Sequence, residues 1–391
     1  VVHEINDISL VGVVHPELGP GYDLWVGGGL STAPRLAERL GVFVTQDQAA
    51  DVWHGVIRIF RDYGFRRLRN KARLKFLLAD WGPRRFREVL ENEYLGYALP
   101  DGPAPAPATS PGDHVGVHKQ RDGRFYLGAT PTVGRVSGQV LHGLADVMAA
   151  AGSDRLRLTP HQKLVVLDVP AQAVDEAVLG LESLGLTTAP SPFRRSTIAC
   201  TGIEFCKLAI VDTKDTAAAT IAALEQRLAG VELDRPISLH VNGCPNSCAR
   251  IQTADIGLKG QIVTTDAGQQ VPGFQVHLGG GLASTDREEA GLGRTVRGLK
   301  VTAADLPDYV ERVVRRFLAD RAPGESFATW THRAAEEALS SQPRTPSWLP
   351  SRPSVAPRPT CAPWPPRAPP CWPTRTPRRS SPGRRSSSAA G

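Results

Sequence analysis

Long apolar runs are missing from this 391-residue chain. Stretches such as Val11 to Val14 and Leu164 to Leu167 fall far short of the roughly 20 residues that cross a bilayer, so a soluble protein with no membrane partner is expected. The first residues, Val1-Val2-His3-Glu4-Ile5-Asn6-Asp7, lack an initiating methionine, a basic leader and an apolar signal core. The chain therefore reads as beginning inside a larger protein, and with no export signal in view the expected compartment is the cytoplasm. Acidic residues are absent from Ser341 to Gly391, which holds nine arginines and accounts for the net charge of +7. Before that tail 37 basic residues face 39 acidic ones, so any bulk attraction for nucleic acid belongs to the tail, and the folded part has no expected nucleic-acid partner.

At 41% hydrophobic, the chain is apolar enough to fold and too long for one ordinary core. Its Pro, Ser, Arg and Trp tail, residues 341–391, has no apolar period and is expected to be disordered. A Pro/Ala segment at 99–111 reads as an extended linker. After it, Arg124 to Ala129 reads as a strand, Val136 to Ala151 as a helix, Arg155 to Val169 as strands and Ala171 to Leu184 as a helix, giving a ferredoxin-like unit over 112–190. Beyond it come a helix from Thr216 to Leu228, strands at Pro236 to Val241, Ala254 to Leu258 and Gly273 to Leu278, and a helix from Asp305 to Ala319.

An internal repeat organises the rest. Pro20-Gly21-Tyr22-Asp23-Leu24-Trp25-Val26-Gly27-Gly28-Gly29-Leu30 is echoed by Pro272-Gly273-Phe274-Gln275-Val276-His277-Leu278-Gly279-Gly280-Gly281-Leu282, and Asp7-Ile8-Ser9-Leu10 by Asp255-Ile256-Gly257-Leu258. The expected fold class is α+β, with pseudo-twofold duplicated α/β domains at 1–98 and 191–340 around the ferredoxin-like unit. The glycine triplets lack the Gly-x-Gly-x-x-Gly and lysine-terminated patterns of nucleotide loops and read as sharp turns or close backbone approaches.

Four of six cysteines form two tight pairs, Cys200 with Cys206 and Cys244 with Cys248. Soft thiolates on two loops suit an iron–sulfur cluster. Zinc is the main rival, although the five-residue spacer of the first pair exceeds the usual structural zinc spacing. A disulfide would need an oxidising compartment, and inert buried thiols remain the ordinary alternative for any lone cysteine. Cys361 and Cys371 sit in the tail.

The motifs Cys200-Thr-Gly-Ile-Glu-Phe-Cys206 and Cys244-Pro-Asn-Ser-Cys248 resemble the sirohaem-dependent sulfite and nitrite reductase family, and within it the actinobacterial ferredoxin-dependent sulfite reductases. The similarity runs from Val1 to about Ser340. It implies that Cys200, Cys206, Cys244 and Cys248 bind a 4Fe–4S cluster and that Cys248 is also the axial ligand of sirohaem. It further implies six-electron reduction of sulfite, with nitrite as the alternative anion and an external ferredoxin as electron donor, in a monomeric protein. An inactive truncated remnant and a zinc-binding module are the competing readings from other classes.

The densest basic stretch runs from Arg66 to Lys75. By resemblance Arg73 and Lys75 occupy the family's substrate-side basic positions, whereas a solvated helix face is the plain reading of the stretch and Lys71 a bystander. Positions i and i+2 share a side when extended and diverge on a helix, which the structure can decide. Sirohaem is rich in carboxylates, so Arg194 and Arg195 are candidates for docking it. Lys119 and Gln120, beside His118, match family sequence near the cofactor cavity, as does His161-Gln162-Lys163, and Asn246 is a further candidate for contact with sirohaem. The family's amino-terminal region, which supplies two more arginines to the anion, has no counterpart here. The chain alone is therefore expected to bind sirohaem poorly.

Overall fold

Apolar alternation after Asp7 builds an antiparallel meander, in which β1 (Ile8–His15) pairs with β2 (Gly19–Val26) and β2 with β3 (Glu38–Val44). The computed structural model of the chain describes residues 2–106, 108, 112–285, 287 and 290–340. The tail expected to be disordered lies outside them. Helix α1 (Ala49–Tyr63) sets Val52, Val56 and Ile59 on one stripe, and α2 (Leu74–Val89) adds Leu77, Leu78 and Phe86. These side chains bury against Leu24, Val26, Val42 and Val44 of the sheet, each burial worth about 1.5–3 kcal/mol.

The Pro/Ala segment does not leave this unit at once. Leu99 is buried, Pro100 C=O accepts the Phe43 N–H at 2.7 Å, and Gly102 N–H donates to Gly41 C=O at 3.1 Å, so the start of the expected linker extends the edge of β3.

The middle unit is a four-stranded antiparallel sheet in the order β4 (Gly116–Lys119), β5 (Phe125–Ala129), β7 (Leu164–Val169), β6 (Leu156–Leu158). Helices α3 (Gly138–Ala150) and α4 (Val174–Ser183) cover one face around Leu127, Leu144, Val166 and Leu181. Ser137 caps α3 by accepting the Val140 N–H.

A short helix α5 (Pro192–Ser196) leads into β8 (Thr197–Ala199), α6 (Lys214–Arg227), β9 (Leu239–Asn242), β10 (Ile256–Thr264), β11 (Gln270–Leu278), β12 (Arg294–Thr302) and α7 (Leu306–Asp320). Helices α8 (Phe327–Arg333) and α9 (Glu336–Ser340) close the described residues. The sheet order is β12-β11-β10-β9-β8, with β10, β9 and β8 parallel. Its core joins Leu239, Val241, Leu258 and Val276 to Ile221, Val310, Val314 and Trp330.

The repeat read in the sequence is a structural repeat. Ile8 opposes Val26 as Ile256 opposes Leu278, and the second hairpin of each half slips register at the same place, between Asp23 and Trp25 and between Gln275 and His277. The glycine triplets follow β2 and β11 for a steric reason. A Cβ on Gly28 would lie 2.7 Å from the Glu4 and Asn6 carbonyl oxygens, and one on Gly280 would lie 2.2 Å from the Gln252 carbonyl oxygen. Only the second half carries, among the described residues, the extra parallel strands β9 and β8.

Candidate functional site

Both cysteine loops leave the sheet at one end because β8 and β9 are parallel neighbours. Cys200 N–H continues the ladder to Val241 C=O at 3.0 Å, and Cys244 lies two residues past the end of β9. Asn242 is fully buried and clamps the second loop at both ends. Its Nδ2 donates to the Cys244 C=O at 2.6 Å and its Oδ1 accepts the Ala249 N–H at 2.8 Å, with Cys248 between them. Gly243 ties the two loops together, since its N–H donates to the Cys200 Sγ at 3.2 Å and its C=O accepts the Ile210 N–H at 2.7 Å. Gln162, from the middle unit, bonds both the N–H and the C=O of Ala199, so its side chain acts as one more rung on β8 immediately before Cys200.

All four thiols are free of disulfides, with Cys244 buried, Cys200 and Cys206 half-buried and Cys248 exposed. Burial raises the Cys248 pKa, and Cys200, Cys244 and Cys206 add to the shift in the same direction, so the four sulfurs share one electrostatic neighbourhood. Among the described residues no three His, Cys, Asp or Glu groups are gathered tightly enough to hold a single metal ion. Four free thiols on two loops tied to each other are the soft donor set that an iron–sulfur cluster takes.

The basic pair sits at the start of α2. Arg73 is extended at the N-cap (φ −140°, ψ 148°) and Lys75 lies in the first turn, yet both reach the third glycine of the triplet. A Cβ on Gly29 would lie 2.6 Å from Arg73 Nη2 and 3.3 Å from Lys75 Cδ. The solvated helix face considered for this stretch fails at Lys75, which is 3% exposed. Its ammonium donates to Gly29, Leu30 and Ala33 carbonyls at 3.1, 2.7 and 2.6 Å. Burial and then the charge of Arg73 hold its pKa below the usual lysine range. Arg73 remains partly exposed and pairs with Asp7 through two bonds of 3.1 and 2.8 Å.

A cleft of about 420 Å³ opens between the second repeat and the middle unit, lined by Asp113, His161, Arg195, His240 and Arg250 among others. None of the four cysteines lines it, nor does Arg73 or Lys75. Arg195 faces this cleft with its guanidinium bonded to Asp113 at 2.6 and 2.9 Å. Burial and then the Arg250 charge push His161 down to about 4 and His240 to about 3, so both rings are neutral at pH 7. Burial also takes Arg250 to about 10 and Lys163 to about 8.

The remaining candidates are scattered. Arg194 turns away from the cleft to Glu225 and Thr132. Lys119 is exposed on the edge strand β4. Both polar ends of the Gln120 amide are spent on Asp168, at 2.8 Å to its carboxylate and 2.7 Å from its N–H. Asn246 is exposed on the loop between Cys244 and Cys248. Of the other residues at these loops and the cleft, Gln162 and Lys163 are signalled in the sequence by the family match of His161-Gln162-Lys163, and Asn242 by the Asn-Gly turn dipeptide before Cys244. Asp113, His240 and Arg250 carry no local signal of their place.

Two family profiles match this chain. The one described as "Nitrite and sulphite reductase 4Fe-4S domain" covers residues 1–98 and 191–343, and the "Nitrite/Sulfite reductase ferredoxin-like half domain" covers 118–184. The chain belongs to the nitrite and sulphite reductase 4Fe–4S family. It is 57% identical over 341 residues to Sulfite reductase (ferredoxin) 1 of Mycolicibacterium paratuberculosis, covering 87% of this chain and 61% of that protein. It is 35% identical to the assimilatory ferredoxin-dependent nitrite reductase of Haloferax mediterranei, covering 86% of this chain and 59% of that protein. A solved structure of the Mycobacterium tuberculosis NirA protein matches with a TM-score of 0.83 at 55% identity, over 87% of this chain and 62% of that one. The α+β class with duplicated halves and a ferredoxin-like unit is the observed architecture. The chain spans about three fifths of the length of these relatives.

Proposed function

We propose that this chain is the cofactor-holding part of a ferredoxin-dependent sulfite reductase, reducing sulfite to sulfide by six electrons in sulfur assimilation. The observation that carries the reading is the pair of cysteine loops at one sheet end, held to each other by Gly243 and closed by Asn242. The donor set fits a 4Fe–4S cluster: four free thiols in mutual electrostatic range, one of them already accepting a backbone N–H. Cys200, Cys206, Cys244 and Cys248 would hold the cluster, and the exposed Cys248 would also ligate sirohaem, near Asn246. When bound, the two groups supply an electron reservoir and an anion-binding metal within one ligand of each other.

The chain's own contribution is charge and order. Arg73 offers a partly exposed guanidinium for the anion, where each added electron increases the need for positive charge. Lys75 adds its charge from behind the Gly29 to Ala33 carbonyls and keeps that loop in shape. Arg195 stands in the cleft for carboxylate docking, whereas Arg194 and Gln120 act structurally in the positions described and Lys119 lies exposed on the edge of β4. An external ferredoxin delivers the electrons, and the protein works as a cytoplasmic monomer without nucleic-acid or membrane partners. No helix among the described residues is long and apolar enough to cross a membrane.

Nitrite is the second reading, supported by the Haloferax relative, at a lower identity than the sulfite reductase. Steady-state turnover of both anions by the full-length protein with reduced ferredoxin tests the choice. A higher kcat/KM for sulfite is expected. Faster nitrite turnover would move the assignment to nitrite, and turnover of neither anion by protein containing both prosthetic groups would defeat it.

A further inference from the structure

Three of the non-glycine residues at positive φ lie on one short path: Ser247 (61°), Arg250 (59°) and Ser31 (82°). L-residues pay to adopt such angles and hold them only where neighbours enforce them. Ser247 and Arg250 flank Cys248 on the second cysteine loop, and Ser31 lies within the loop whose carbonyls hold Lys75. One side chain joins these places. Gln252, 5% exposed, accepts the Ser247 hydroxyl on Oε1, and its Nε2 donates to the Ser31 C=O at 2.9 Å across 221 residues of sequence.

The duplication supplies an internal comparison. Glu4 occupies in the first half the place of Gln252 in the second, and Ala283 the place of Ser31. Glu4 Oε1 accepts the Ala283 N–H at 2.9 Å, so each half reaches across to the other's glycine loop at the same point with donor and acceptor exchanged. Only the Gln252 arm connects a cysteine loop to the loop that seats Arg73 and Lys75. A carboxylate there would meet the Ser31 carbonyl without a proton to give.

We propose that Gln252 is a positioning residue that fixes the spacing between the Cys248 loop and the Gly29 to Ala33 loop, and so aligns the anion-side charges with the metal ligand. The inference rests on the sulfite-reductase reading. Without the amide, Ser31 loses the contact that stabilises its positive φ and the loop relaxes, taking the Lys75 carbonyls and the Arg73 contact at Gly29 with it.

The test uses full-length enzyme carrying both prosthetic groups. Gln252→Met is expected to raise the sulfite KM, and the Kd read from sulfite-induced changes in the visible spectrum of unreduced enzyme, by about fivefold, the size of one hydrogen bond. Iron and sirohaem content should stay at the wild-type level, and amide exchange at residues 30–33 should quicken by a similar factor. Adding Ser31→Gly should return the Kd to within about twofold of wild type, because glycine accepts φ near 82° without help. Lost packing around Gln252 would not be relieved in this way. An unchanged Kd and unchanged exchange in Gln252→Met overturn the proposal, as does a defect that Ser31→Gly leaves in place. Should Gln252→Met fail to hold its prosthetic groups, Ser247→Gly breaks the first link with the glutamine intact, and a wild-type Kd there is equally fatal. Wild-type enzyme that binds no sulfite would instead sink the functional reading, whereas the exchange measurement still reports on Gln252 alone.

Discussion

Replacing Lys163 with methionine should stabilise the protein at neutral pH. Lys163 is 2% exposed, and burial pulls its ammonium from 10.5 to about 8, against the attraction of Asp113 and with the repulsion of Arg195. At about 1.4 kcal/mol for each tenfold change in acidity, keeping the amine charged costs the fold about 3 kcal/mol. The sign follows from proton counting. Between pH 8 and pH 10.5 the unfolded chain binds the proton and the folded chain has begun to release it, so wild-type stability rises with pH in that window. Below pH 8 the cost is present in full, and above 10.5 it vanishes. Methionine keeps the length of the buried stem and removes the charge. Asp113 is not orphaned, because Arg195 holds it with two bonds. Anaerobic urea titrations of wild type and Lys163→Met from about pH 7 to pH 10 measure the difference. The variant should be more stable by about 3 kcal/mol at pH 7, with the gain shrinking steadily above pH 8. A variant no more stable than wild type at pH 7, or a gain independent of pH, would refute the argument.

Two further outcomes follow from the same contacts. Asn242→Val strips both clamps from the second cysteine loop and leaves a buried N–H and C=O unpaired, at about 1–3 kcal/mol each. Iron and labile sulfide per chain should fall below half of wild type while far-UV circular dichroism is kept, and full iron content would show that the clamp is dispensable. Gln120→Leu removes the amide that braces Asp168, whose carboxyl is held well below the usual range by Arg155 first and Gln120 second. Its melting temperature should drop by about 3 °C with the sirohaem absorbance unchanged, whereas lost absorbance would place Gln120 at the prosthetic group.

The repeat, the sheet-and-helix order and the cysteine pairs were legible because each is written in local pattern. The strand at Gly273 to Leu278, the helix at Asp305 to Ala319 and the spacing of Cys200 to Cys206 need only neighbouring residues to be read. Strand β4 escaped notice because Gly-Val-His-Lys on an exposed edge has no apolar period. The polar framework was illegible for a different reason. Gln162 finds its partner 37 residues on, Lys75 finds its acceptors 42 to 46 residues back, and Gln252 bonds 221 residues away. Nothing near such a residue in sequence says whether it is solvated or buried with partners. Lys75 shows the cost, since a dense basic run is ordinarily a solvated face and only the fold reveals three carbonyls waiting for its ammonium.

Iron and acid-labile sulfide, counted per chain in anaerobically purified full-length protein and in its Cys200, Cys206, Cys244 and Cys248 to alanine variants, test the cluster assignment most directly. The account predicts about five iron and about four labile sulfide in wild type, the fifth iron being that of sirohaem, and loss of the cluster in every variant, with Cys248→Ala also losing the axial ligand signature of sirohaem. About one zinc and no sulfide per chain, or an intact cluster after removal of any of the four thiols, would contradict it.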